Sequence, residues 1–300
     1  MTSQQEAILA RLQSNSSLEE LELEVLGGRT VITGLETHSP LVTGTIEHEC
    51  QEFETTIGNT HLNDVHWKDI HFIKCDLSDV KFFGGSFSNC RFERCKCQRM
   101  GLWDFKISES SFIGCNMRNS APGGINSQEK VKKPNAYIGV TFDKCDLRSS
   151  AHSCESYRSC LFRNCQLRNV QFSGAIFEDC TFEGRLDGVE FRAFDISCND
   201  MPSNRLLRCD FRKAELLHCN FIHIGMDPSM FPPSGDWIVL PNGPTDFSRW
   251  LVHFQKDNFV IKYLMELSGS PTMVSRSYLV EAGLTAEEIQ FFVDLGKKGY

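Results

Sequence analysis

The 300-residue sequence predicts an all-β solenoid, with a non-repeat N-terminal cap and a small α-helical C-terminal region. Three observations carry this. A large apolar residue returns every fifth position through most of the chain, a period that fits neither a helix at 3.6 nor a strand at 2. A small or thin side chain sits two residues before most of these centres. Both flanks lack the period.

The centres run Leu62, Trp67, Phe72, Leu77, Phe82, Phe87, Phe92 and onward to Met117. They return from Phe142 to Phe182, slip by one residue, and continue from Phe191 through Ile196, Met201 and Leu206 to Phe221. This makes 28 repeats. Cysteine fills the small slot at 75, 90, 95, 115, 145, 160, 165, 180, 209 and 219, so one structural position explains ten of the 14 Cys. A buried Cys behaves there as a small hydrophobe.

The runs C-D-L, C-R-F, C-D-F, C-N-F and C-Q-L, each followed by two polar residues, resemble the pentapeptide-repeat family, whose motif is A(D/N)LXX. The resemblance covers roughly residues 60–225. It implies a right-handed quadrilateral β-helix with one pentapeptide per side, about seven or more coils here, and both the centre and the small slot pointing inward. Side chains 20 residues apart then stack at roughly 4.8 Å. Phe72, Phe92 and Phe112 are expected to form one column, Phe142, Phe162 and Phe182 another, and Cys75, Cys95 and Cys115 a third. Stacked coils bury what no five-residue side can bury alone.

The segments divide as residues 1–58, an N-terminal cap; 59–225, the β-helix; 226–245, a Pro-rich linker; and 246–300, a helical cap or small domain. Residues 4–13 read as a helix with Ile8, Leu9 and Leu12 on one face, and LEELELEVL (18–26) as a strand. In the tail, DFSRWLVHFQKD and NFVIKYLMEL read as amphipathic helices, SRSYLVEAG stops at Gly283, and Thr285 with Glu288 forms a capping box. The stretch 118–140 reads as a long loop thrown from one corner. Gly123, Gly124, Lys130, Lys132, Lys133 and Asn135 are its candidate partner-binding residues. The segment 197–208 reads as a poorer, bulged set of repeats.

The chemistry-bearing residues point away from catalysis. There is no Gly-rich phosphate loop, zincin motif or nucleophile elbow, so no enzyme and no cofactor is expected. Cys95 and Cys97 occupy consecutive inward slots without a second Cys or His pair at finger spacing, so no metal site is expected. His61, His66 and His71 each precede a centre and read as solvated surface residues. No secretory leader and no membrane span are read in the chain, which favours free thiols and the cytoplasm; export by a leaderless system stays open.

Function is expected to be protein binding, as a scaffold, a regulator, or an immunity or resistance factor. The partner is another protein, with the chain a monomer or a homodimer through a terminal region. Two alternatives stand. The resemblance extends to Qnr- and MfpA-type proteins, which implies a DNA mimic that protects DNA gyrase or topoisomerase IV from quinolones or peptide toxins. The other alternative is a translocated bacterial effector. Charge tests the mimicry: of the net charge of −8, residues 41–225 carry only −1. A DNA mimic needs its negative charge along the rod. RFERCKCQR (91–99) is a basic patch, yet the net charge and the lack of a dense basic stripe argue against direct nucleic-acid binding.

Overall fold

The computed structural model describes residues 3–35, 61–122, 135–153, 156–192, 205–222, 224, 227, 230–232, 237–267 and 272–298. The five-residue period builds a four-sided coil. Side 1 carries Phe72, Phe92, Phe112, Phe142, Phe162, Phe182 and Phe211, in parallel strands of a nine-stranded sheet. Side 2 runs from Leu77 through Cys97, Met117 and Leu147, joined by isolated bridges such as Asp76 to Lys96 to Asn116. Side 3 carries Phe82 on Leu62 and, further along, His152, Phe172, Phe191 and Phe221. Side 4 carries Trp67, Phe87, Ile107, Tyr137, Tyr157, Phe177 and Leu206.

The corner is a backbone device. The residue two past each centre adopts a left-handed φ between +48° and +62° at non-glycine positions such as Lys74, Asn89, Arg94, Asp104 and Glu109. That conformation is costly for most residues, so parallel pairing between coils has to hold it in place. Gly85 has a stricter need: its φ is +106°, and a Cβ there would lie 2.1 Å from the Val65 carbonyl oxygen.

The core is the stack itself. Successive side 1 rings lie 4.5–5.3 Å apart and within 12° of parallel. The cysteines contribute more than volume. Cys95, Cys115, Cys145 and Cys165 donate to the carbonyls of Phe72, Phe92, Phe112 and Phe142 in the preceding coil, at 3.2–3.4 Å. An alanine would fill the slot and leave that oxygen without the thiol. Every described cysteine is free.

Several expectations need correction. The two phenylalanine columns are one: Phe112 pairs directly with Phe142, and Cys115 and Cys145 likewise continue a single column. Repeats run on to Pro122 and resume at Asn135, so Tyr137 is a buried centre and Val140 its following thin slot, both within the stretch read as loop. Ile196 and Met201 lie outside the described residues, and Leu206 pairs directly with Phe177. LEELELEVL is a 3-10 turn (Glu19–Leu21) and a two-residue strand, because Glu22 turns left-handed and breaks the alternation. The expected linker already contains a strand, Trp237–Leu240, paired antiparallel with Thr272–Ser275.

At the N-terminus, α1 (Ser3–Gln13) buries Ile8, Leu9 and Leu12. The Trp67 indole donates to the Leu12 carbonyl at 3.0 Å, which ties the helix to the first described coil. Arg29–Thr33 pairs in parallel with Ile70–Ile73, so the cap already supplies a rung of side 1. At the C-terminus, α2 (Gly243–Phe254), α3 (Phe259–Leu267), α4 (Arg276–Glu281) and α5 (Ala286–Lys298) share a core of Phe247, Trp250, Ile261, Leu279 and Phe292. The expected capping box forms: Glu288 Oε2 accepts from the Thr285 amide at 2.7 Å, and Thr285 Oγ1 accepts from that of Glu288. Trp237 and Met273 pack against the rod core.

Phe142 joins the coils on either side of the interrupted stretch, so Phe142→Ala is expected to cost about 3–5 kcal/mol in denaturant unfolding. Cys145→Ala removes the buried sulfur together with its bond to the Phe112 carbonyl, at about 1 kcal/mol or somewhat more.

Candidate protein-docking corner

Pro122 and Tyr137 are consecutive centres, on side 3 and side 4, yet 15 residues separate them where the frame has five. Phe191 and Leu206 repeat this, again on sides 3 and 4 and again 15 apart. The described chain therefore breaks off and resumes twice at one corner, each time with ten residues more than the five-residue frame requires. Side 4 counts Tyr137, Tyr157, Phe177 and Leu206 between these breaks, three rungs or about 14 Å at strand spacing.

The root of the first insertion is tightly held. Asn135 is buried, its Oδ1 accepts from the Phe105 amide at 2.8 Å, and its Nδ2 donates to the carbonyls of Leu102 and Pro122, each at 2.9 Å. The Tyr137 hydroxyl donates to the same Pro122 carbonyl. The points of departure and return are thus bonded to each other and to the coil below. Asn135 is an anchor rather than a partner-facing residue. Gly123, Gly124, Lys130, Lys132 and Lys133 lie outside the described residues.

Beside this root is a polar network in the rod interior that the sequence reading missed. His152 takes a place in the aromatic column of side 3, fully buried. Its Nε2 lies 3.0 Å from Ser150 Oγ and its Nδ1 2.5 Å from the Tyr157 hydroxyl. Ser150 Oγ also donates to the Leu147 carbonyl at 2.7 Å. That direction decides the rest: the serine proton points away from the histidine, Nε2–H donates to Ser150, and Tyr157 donates to Nδ1. A serine whose proton is spent on the backbone is no nucleophile activated by its neighbour. Burial pushes the Cys90 and Cys209 thiols up to about 12, which keeps these two protonated. No cluster of metal-ligating side chains occurs among the described residues.

The model described as pentapeptide repeats matches the chain, with eight copies and residues 158–184 spanned. Residues 158–184 are pentapeptide repeats by this match. No curated protein matches it significantly. Similar solved structures include a trypsin-treated variant of QnrB1, described as a plasmid-mediated fluoroquinolone resistance protein. It is 18% identical, covers 54% of this chain and 90% of its own, and has a TM-score of 0.27. HetL, a pentapeptide repeat protein involved in heterocyst differentiation regulation from the cyanobacterium Nostoc, is 10% identical, covers 56% and 90%, and has a TM-score of 0.34.

Outside the repeats' core, charge is handled coil by coil. Arg99 grips Asp79 of the preceding coil through two bonds of 2.6 Å. Arg163 does the same to Asp143, and Arg208 spans Asp179 and Glu178. Hydrogen bonds from these arginines hold Asp143, Asp179 and Glu178 below the usual carboxylate range. His71 departs from its expected surface place. It is buried, its Nε2 is 3.3 Å from Glu93, and burial lowers its pKa, helped by Arg91 and opposed by Glu93. The helical unit leaves Val252, Phe259 and Tyr263 exposed, at 74%, 80% and 41%.

Asn135→Ala should orphan the buried Phe105 amide and take one donor from each of the Leu102 and Pro122 carbonyls, and destabilise by about 2–4 kcal/mol, read by urea unfolding. For pH, the folded carboxylates bind protons less readily than the unfolded ones. Their stability is full above about pH 4 and lost as pH falls through the depressed folded values. His71, lowered when folded, likewise withdraws stability once pH drops below about 6.5. Melting temperature is therefore expected to decline gently below about pH 6.5 and steeply below about pH 4, with His71→Gln reducing the first stage, to which His61, lowered by burial, also contributes.

Proposed function

We propose that this protein is a non-enzymatic, protein-binding repeat protein that offers two paired insertions to a partner from one corner of a rigid rod, as a scaffold, regulator, or immunity or resistance factor. The observation that carries this reading is the shared corner: Pro122 to Tyr137 and Phe191 to Leu206 interrupt the coil at the same place in its cross-section. Loops held on a stiff frame lose little freedom on binding, which is what a recognition surface needs. The inward-directed bonding of Ser150, His152 and Tyr157 supports a role without chemistry. Eleven free thiols among the described residues suit a reducing compartment, and we place the protein in the cytoplasm.

Topoisomerase protection by duplex mimicry is the second reading. Carboxylates held by arginines of the next coil weigh against it, since a mimic must leave its acidic groups unneutralised.

The test uses deletions that respect the frame. Removing 124–133 and 194–203 restores five-residue spacing at both sites. The double deletion is expected to keep its circular dichroism and melting temperature while losing a partner captured by cross-linking with the intact chain. A partner held equally well by the deleted rod would overturn the reading. In a gyrase supercoiling assay with a fluoroquinolone, we expect no restored supercoiling; restoration would establish the second reading instead.

A further inference from the structure

The near-neutral rod hides a segregation of charge that only the assignment of residues to sides reveals. Over residues 71–179, the outward positions of sides 1 and 2 carry ten Lys or Arg against five Asp or Glu. Those of sides 3 and 4, among the described residues, carry three against four. The excess is spread over sides 1 and 2 together, which face away from the corner between sides 3 and 4.

The individual residues sharpen this. Lys74, Arg94 and Lys144 sit at the corner itself, two past the side 1 centres Phe72, Phe92 and Phe142. Arg118, Arg148 and Arg168 follow the side 2 centres in three successive coils, where the amide of Asn119 donates to the Arg148 carbonyl and that of Ser149 to the Arg168 carbonyl. All five carboxylates here are already engaged by cations: Lys96 holds Asp76, Arg99 Asp79, Arg91 Glu93, Arg163 Asp143 and Arg148 Asp146. Lys74, Arg94, Arg118, Lys144 and Arg168 are exposed and enter no ion pair among the described residues. Five unneutralised cations thus span five coils, about 20 Å at strand spacing. A stable rod has no need of like charges stacked on neighbouring rungs, which repel.

We infer that the surface formed by sides 1 and 2 carries a docking stripe for an acidic polypeptide segment of a partner. A polypeptide fits better than a nucleic acid for two reasons. Its acidic side chains can be spaced to meet the free cations while its uncharged stretches pass over Asp76, Asp79, Glu93, Asp143 and Asp146, whereas a continuous phosphate backbone must cross them. Among the described residues no exposed aromatic side chain lies on these two sides for bases to stack on. The inference goes beyond the insertion corner and does not rest on it, though both describe one protein-binding rod.

The experiment measures binding of fluorescently labelled poly-L-glutamate of about 20 residues to the full chain by anisotropy, at about 50 and about 300 mM salt. The comparison variants are Arg94→Ser/Arg118→Ser/Lys144→Ser/Arg168→Ser together, Lys106→Ser on side 4, and the double insertion deletion. We expect salt-sensitive binding that the quadruple variant weakens at least tenfold, with the other two unchanged. A loss confined to the insertion deletion would overturn the stripe while leaving the insertion reading intact. Absence of binding at low salt, or equal binding by the quadruple variant, would overturn it too. Tighter binding of a 20-nucleotide single strand than of poly-L-glutamate, or recruitment to phosphatidylserine vesicles without poly-L-glutamate binding, would reassign the stripe to nucleic acid or membrane.

Discussion

Vertical register between coils is the constraint on which everything else in this molecule depends. A phenylalanine on side 1 is useful only if another lies directly below it, and the column from Phe72 to Phe211 is unbroken although the chain between rungs is 20, 30 or 29 residues long. The left-handed corners make the same demand. Arg94 or Glu109 would not hold a positive φ in a free chain; parallel pairing on both flanks enforces it. Cooperation of this kind explains why extra residues enter at a corner rather than within a side. At the corner they displace no rung, and the bonds from Asn135 and Tyr137 to Pro122 close the gap beneath them.

Cysteine shows how the repeat recruits a side chain for two purposes. The slot two before a centre accepts little more than a thin group, and alanine satisfies that. What cysteine adds is a weak donor aimed at the carbonyl of a centre one coil earlier, as Cys115 does to Phe92. Side 2 has only isolated bridges instead of a continuous ladder, and it is there that the column Cys75, Cys95, Cys115, Cys145 and Cys165 stands. The thiols of the side 1 slots, Cys90, Cys160 and Cys180, make the same bond to side 4 carbonyls, so the device serves more than one side.

Much of the fold was legible because a five-residue period cannot arise from a helix or an ordinary strand, and because the slot and the centre report the same frame. What escaped did so for physical reasons. Tyr137 sits in frame five before Phe142, but the Pro-, Gly- and Lys-rich run ahead of it masks the resumption; the frame alone would have found it. His152 was counted as a centre, while its bonds to Ser150 and Tyr157 depend on side chains meeting across a corner, which spacing does not encode. His71 reads as surface from its place before a centre, and becomes buried through neighbours in other coils. Alternation in LEELELEVL signals a strand only if one face is covered, and Val25 and Leu26 are both exposed at its end.

Charge illustrates the same lesson at larger scale. Summed along the chain, the rod is almost neutral, and that sum is what weakens duplex mimicry. But the chain visits all four sides every 20 residues, so a sum along sequence averages over faces that never meet a ligand together. Sorting by side separates two basic sides from the opposite corner, where the insertions emerge. The ion pairs reaching from coil to coil remove acids and bases in equal number, so they cannot create or erase this imbalance; they leave it as the five cations that have no carboxylate to hold. A solenoid can therefore be neutral in total and still address two partners from opposite faces, because its geometry turns sequence phase into direction in space.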